Sequence, residues 1–159
     1  WEKAKGFIQK AFTIIFAATL IVWFLQNFDA GLHLVTSTDQ SLLAQIGSLV
    51  APLFAPLGFG DWRVSTALIT GFMAKESVVS TLTVLLGGKT ALLTTLFTPF
   101  TAYVFLIFTL LYTPCVAAVA TVRREMGTVR TAAGIALLQC VTAWIVAFIV
   151  HGIGMLFGL

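Results

Sequence analysis

The stretch TAYVFLIFTLLYTPCVAAVATV, from Thr101 to Val122, decides how this chain folds. It carries no charged side chain and stops at Arg123-Arg124-Glu125. An α-helix rises ~1.5 Å per residue, so about 20 apolar residues cross a hydrocarbon layer of ~30 Å. Thr113-Pro114-Cys115 interrupts the run. Proline inside a spanning helix removes a backbone donor, frees the carbonyl four residues back (here Leu110) and bends the helix. This is the pattern of a membrane helix with a break in it.

The rest of the chain repeats the theme. It has 159 residues, 59% hydrophobic and 9% charged, with a mean hydropathy of +1.03. A soluble domain is roughly 25% charged and under half apolar. So few ionic groups cannot cover a water-facing surface of this size. The composition excludes a soluble enzyme, a disordered chain and a disulfide scaffold. Cys115 and Cys140 stand far apart in apolar surroundings, with no CxxC pairing.

Other apolar runs cover Gly6–Leu25, Leu42–Phe59, Trp62–Leu86 and Thr131–Leu159, and the stretch around Thr101–Val122 begins at Ala91, with a break at Thr98-Pro99. The second contains Pro52 and Pro56 and reads as a kinked span or a re-entrant one. The prediction is an all-α fold: a polytopic transmembrane helical bundle of about five membrane segments with Pro-broken helices. Lys3, Lys5, Lys10, Arg63, Arg123, Arg124 and Arg130 then fall on one side and Lys89 alone on the other, with Lys75 inside. That asymmetry places the N-terminus and the Arg123–Arg130 loop in the cytoplasm. The chain begins at Trp1 rather than Met, so a piece of a longer protein is expected.

Ionisable residues within membrane segments are functional by default. Glu76 sits near the middle of the Trp62–Leu86 run. On a continuous helix Met73, Glu76, Ser77 and Ser80 fall at i, i+3, i+4 and i+7 and form one stripe. A thioether, a carboxylate and two hydroxyls suit a cation path; the alternative is an internal ion pair serving packing alone. Lys75 points about 100° away from Glu76 on such a helix, and its partner stays open. Cys115 follows the Pro114 bend directly. Its thiol, once deprotonated, is a soft metal ligand, and freed carbonyls beside it add oxygen donors; the alternative is a small hydrophobe at a kink. His33 and His151, with Asp29 and Asp39, come out on the external side and suit cation collection there or plain interfacial packing. No nucleotide loop, HExxH or GxSxG motif occurs, so no enzymatic activity is expected of this chain. Nor is nucleic acid a partner, because the basic residues sit at the ends of apolar runs.

Gly71-Phe72-Met73-Ala74-Lys75-Glu76-Ser77-Val78-Val79, with Leu111-Tyr112-Thr113-Pro114-Cys115-Val116-Ala117-Ala118 and Arg124-Glu125, resembles the C-terminal membrane region of the bacterial ferrous iron transporter B family. Lys10-Ala11-Phe12-Thr13-Ile14-Ile15-Phe16 and Trp23 look like it too. The resemblance runs from about Trp1 to the end. It implies Fe²⁺ uptake across the bacterial cytoplasmic (inner) membrane by a multi-pass protein. It also implies that residues 1–159 are one gate-type region, with a first gate region and an N-terminal cytosolic G domain elsewhere in the transporter. GTP and Mg²⁺ would belong to that G domain, and no tightly bound cofactor is expected here. The implied partners are Fe²⁺ as cargo, the lipid bilayer, the rest of the transporter and, as an option, a second copy. The family's proline-cysteine motif, proposed to bind or gate iron, falls on Pro114 and Cys115, and its AKE motif on Lys75 and Glu76. The expected ligand set is Cys115, Glu76 and Met73, with Pro114, Lys75, Ser77 and Ser80 in gating or structural roles. Rival readings are a gate for nucleosides or organic solutes, and a non-transporting membrane assembly module.

Overall fold

A computed structural model describes the backbone of residues 1–35, 37–73, 75, 77–112 and 115–158. Within these, the side chains of Glu2, Lys3, Ala4, Phe7, Ile8, Lys10, Ala11 and Thr90 are not described. Glu76 and Pro114 therefore lie outside the described residues.

The chain is helical, as its composition predicts, and the described residues contain no strand beyond a single Phe28–Leu34 bridge. Among the described residues eight α-helices follow in order: α1 (Glu2–Asn27), α2 (Leu42–Phe54), α3 (Trp62–Gly71), α4 (Ser77–Leu85), α5 (Leu93–Leu96), α6 (Pro99–Leu111), α7 (Val116–Met126) and α8 (Val129–Leu156). Side-chain caps start several of them. Ser41 Oγ accepts from Ala44 N–H, Asp61 Oδ1 from Arg63 N–H, and Thr98 and Thr101 form a reciprocal capping box with Pro99 at the first helical position. Each satisfies a donor that a helix start leaves without an intrahelical partner.

The second apolar run does not continue straight. Pro52 lies inside α2, a 3₁₀ turn follows at Ala55–Leu57, and Gly58 takes a left-handed φ of 85°. The chain then enters α3 at 102° to α2. Gly58 is doubly constrained: a Cβ there would also meet the His151 ring and Thr101. At Gly47 the two helices touch closely, since a Cβ would run into Thr66 Oγ1 and the Trp62 carbonyl.

The third run was expected to be one helix and is two. α3 ends at Gly71 and α4 begins at Ser77. Among the described residues, Pro99–Met126 and Val129–Leu156 are the stretches long and apolar enough to cross a membrane. The bent pair of α2 and α3 makes a third if it is one span.

The core lies where α2, α3, α4, α6 and α8 converge. Phe54, Phe59, Phe105, Phe108 and Tyr112 stack or meet edge-on with ring centroids 5.3–6.1 Å apart. Such pairs add about 0.5–1.5 kcal/mol each beyond their burial. Ala143 and Ala147, fully buried, present a slim face of α8. Small residues let membrane helices approach closely where lipid supplies no hydrophobic driving force. This packing brings the end of α6 to the end of α3, where the Tyr112 hydroxyl reaches the Leu68 carbonyl.

Candidate functional site: two facing helix breaks

Every helix end exposes backbone groups without intrahelical partners. Two helices broken inside an apolar layer have no water to satisfy them. Here each break serves the other. Val116 N–H, at the start of α7, donates to the Phe72 carbonyl just past α3 at 2.9 Å. Lys75 Nζ, between α3 and α4, donates to the Leu110 carbonyl at 3.2 Å and the Tyr112 carbonyl at 2.9 Å, at the end of α6. It also lies 5.0 Å from the centroid of the Tyr112 ring. Tyr112 Oη donates back to the Leu68 carbonyl of α3 at 3.4 Å.

The positions of charge follow the helix dipoles. A C-terminal helix end carries partial negative charge, and the Lys75 ammonium sits on that end of α6. This answers the question of its partner. The Leu110 carbonyl, expected to lack its helical donor, accepts from Lys75. Gly71 makes the approach possible, because a Cβ there would meet Val78 Cγ2 and Tyr112 Oη.

The break also revises the expected stripe. Met73 lies in the turn after α3, its N–H bonded to the Thr70 carbonyl at 2.9 Å. Ser77 opens α4 and its hydroxyl donates to the Thr70 carbonyl at 3.3 Å. Met73 and Ser77 line one cavity of about 230 Å³, together with Thr19, Gln26, Thr70, Thr81 and Val116. Ser80 faces a neighbouring cavity of about 390 Å³. Cys115 is half-buried and caps α7, its carbonyl accepting from Val119 N–H at 3.0 Å. It thus adjoins Val116 in the first cavity's wall. The parts of the set falling on Glu76 and Pro114 lie outside the described residues.

Among the described residues, no three of His, Cys, Asp and Glu come together as a metal cluster. Of His33, His151, Asp29 and Asp39, only His33 and Asp29 meet among the described contacts. His33 Nδ1 lies 3.7 Å from Asp29 Oδ1. The same oxygen accepts from His33 N–H at 3.0 Å and Gly31 N–H at 2.7 Å. These donors, His33 N–H foremost, hold the Asp29 carboxyl below its ordinary range. His151 packs instead against Phe100, ring centroids 6.2 Å apart. Cys140 lines an apolar cavity of about 460 Å³ with Tyr112 and Trp144, in keeping with a packing role.

Residues that sequence reasoning passed over are Thr19, Gln26, Thr70 and Thr81. Thr70 Oγ1 donates to Thr81 Oγ1 at 3.0 Å across the α3–α4 break. Their signal was present: Thr19 and Gln26 lie seven apart on α1, and Ser77 and Thr81 four apart on α4.

Residues 8–129 match the family model described as "Gate: Nucleoside recognition". The chain is 41% identical over 99% of its length to the Fe(2+) transporter FeoB of Staphylococcus aureus (strain MSSA476), covering 24% of that protein. It is 35% identical over 97% of its length to the Fe(2+) transporter FeoB of Methanocaldococcus jannaschii, again 24% of that protein. A Porphyromonas gingivalis Fe(2+) transport protein A/Fe(2+) transporter FeoB fusion protein is 29% identical over 99% of this chain, which covers 25% of it. The chain thus spans about a quarter of the length of these curated relatives. No solved structure matches it.

Proposed function

Because the chain belongs to the gate, or nucleoside-recognition, family of membrane domains, we propose that it is one gate region of a ferrous iron transporter and forms part of the Fe²⁺ path. The substrate comes from the relatives, which are named as Fe(2+) transporters. The observation that carries the mechanism is the pair of helix breaks joined by Val116, Phe72, Lys75 and Tyr112. Broken helices beside a polar cavity are how transporters bring backbone and side-chain donors to an ion inside the bilayer.

Fe²⁺ is a borderline cation that accepts sulfur as well as oxygen, whereas Mg²⁺ and Ca²⁺ prefer oxygen alone. Met73 supplies a thioether to the cavity, and Cys115 supplies a thiol one residue from Val116 in its wall. Glu76 supplies the negative charge that offsets a divalent ion's dehydration. Lys75 holds the α6 end shut while the ion passes beside it. The basic N-terminus and the Arg123–Arg130 loop face the cytoplasm and the Asp29–Asp39 loop faces outward, in a bacterial inner membrane. GTP hydrolysis belongs to a separate G domain of the transporter. The relative in which the two are fused supports transport protein A as a partner of the whole transporter.

The family description favours one rival, a nucleoside gate, and a single variant separates the two. Serine nearly matches cysteine in shape and removes the polarizable sulfur. In the full-length transporter, Cys115→Ser should reach the membrane at normal level and lose Fe²⁺ uptake or its preference over Mg²⁺. Alkylating the wild-type thiol should inhibit, and Fe²⁺ or Co²⁺ should slow the alkylation. A nucleoside gate tolerates serine, is blocked by bulk and gains no protection from metal. Unchanged Fe²⁺ uptake in Cys115→Ser would remove the thiol from the mechanism.

A further inference from the structure

α1 has two unlike faces. Phe16, Leu20 and Trp23 are more than half exposed and face outward. Ala18, Val22 and Gln26, spaced along one helical face, are buried or half-buried at the α3–α4 break, and the more exposed Ile15 and Thr19 line the same cavity. α4 answers with Ser77, Ser80 and Thr81. Val79, on another side of α4, lines neither of the two cavities and is 62% exposed. The cavity at the break and its neighbour share two lining residues, Gln26 and Thr81. They therefore adjoin, and together they run from Met73 to Asn27 at the end of α1 and Thr38 in the 3₁₀ turn before α2.

From this we infer that the ion's route through this gate region follows the inner face of α1, and that Gln26 and the Thr70–Thr81 hydroxyl pair form its narrow point. The inference rests on the iron-transport reading and names the residues of its path. Among the described residues the lining carries neutral oxygens and one thioether beside apolar Ile15, Ala18, Val22 and Val116. That chemistry suits a hydrated divalent cation: hydroxyl and amide oxygens replace or orient its waters along the path to the negative charge assigned to Glu76. The volumes are adequate. At about 30 Å³ of liquid per water, cavities of 230 and 390 Å³ each hold an ion with roughly six waters. The mouth is biased for cations as well. Between Gln26 and Ser41 the chain carries Asp29 and Asp39 and no Lys or Arg. The backbone donors of His33 and Gly31 favour the ionised form of Asp29. Negative charge at a mouth raises the local cation concentration.

The test uses the full-length transporter in sealed vesicles, with two independent readouts. The first is accessibility. Single cysteines at Gln26, Ser80, Thr81 and Val79, in a background lacking the native cysteines, meet a cationic methanethiosulfonate applied to both membrane faces. Gln26→Cys, Ser80→Cys and Thr81→Cys should react at least about tenfold faster than Val79→Cys. Equal or reversed reactivity would overturn the route. The second is uptake. Thr81→Ile fills the narrow point and removes the hydroxyl pair; it should lower Fe²⁺ uptake about tenfold, the kinetic equivalent of one lost hydrogen bond to a charged group. Val79→Ile should leave uptake unchanged. If the wild type carries Fe²⁺ and Thr81→Ile matches it, the route is wrong while the iron reading stands. If the wild type carries no Fe²⁺ but the cysteine pattern holds, the iron reading fails and the path belongs to another solute. Should Thr81→Ile fail to accumulate, the accessibility pattern decides the matter.

Discussion

α8 and the α6–α7 pair are a natural experiment in one molecule. Pro99–Met126 and Val129–Leu156 are both 28 residues long and both apolar enough to cross a membrane. One is a single helix whose interior backbone donors and acceptors satisfy each other. The other is cut at Tyr112–Cys115, and its open ends are closed by residues from α3 and the turn beyond it. Apolarity therefore says that a segment enters the bilayer and nothing about what it does there. The difference lies in where the backbone hydrogen bonds go. An unbroken span keeps them to itself, and its role is to pack, through Ala143, Ala147 and the Trp144 indole on the Leu53 carbonyl. A broken span lends them to its neighbours, and so couples its own geometry to theirs.

The coupling can be cut at its strongest point. Lys75→Met keeps length and apolar bulk but removes both bonds to the Leu110 and Tyr112 carbonyls. Charged hydrogen bonds are worth about 1.5–3 kcal/mol each, and part of that is recovered by relaxation within the membrane. Unfolding of the purified full-length transporter should show a loss of about 2 kcal/mol, and iron uptake should fall with it. Lys75→Arg should be milder than Lys75→Met. A fully stable Lys75→Met protein would mean that the α6 end is closed by something else.

A paired substitution sharpens the contrast between broken and unbroken helices. A Cβ at Gly71 meets Val78 and Tyr112, whereas one at Gly134 in α8 meets nothing within 4 Å. Gly71→Val should destabilise by about 1–3 kcal/mol, the range for overpacking a filled site. Gly134→Val should change thermal stability in detergent little. Similar losses at both positions would erase the distinction.

The smallest effect concerns α8's own tether. Trp144→Phe preserves the ring that stacks on Phe148 at 5.2 Å and drops only the bond to Leu53 at 3.0 Å. A loss of about 1 kcal/mol is expected, with iron uptake at the wild-type rate. A collapse in uptake would show that α8 also takes part in gating.

These contrasts explain what could be seen from the sequence. The apolar runs, the helical class and the interruption at Thr113-Pro114 are local properties, written in hydropathy and in proline's missing donor. The α3–α4 break is not local. Phe72 to Glu76 contains no proline, and the run continues apolar on both sides, so a single helix was the natural expectation. What stabilises the break is distant in sequence: the Val116 amide, the Tyr112 hydroxyl and the carbonyls under Lys75. The partner of Lys75 was hidden for the same reason, since a backbone carbonyl leaves no mark on residue type. Met73 and Ser77 were legible as polar or sulfur-bearing residues in an apolar run, and they share a cavity despite the broken stripe. Thr19 and Gln26 are hidden by the high mean apolarity of α1 and stand out only when its faces are taken separately.

The ammonium resting on the end of α6 has a consequence for electrical tightness. Carbonyl groups at a broken helix end attract any small cation, and an open pair would offer sodium or potassium a foothold inside the bilayer. The occupant here is covalently attached, so it competes as an intramolecular ligand whatever the ion content outside. A dissolved monovalent ion could take its place only by stranding a lysine charge in an apolar layer, at about 3 kcal/mol. The protein thus keeps the flexibility of a broken helix without leaving the break as a leak for the cell's most abundant ions.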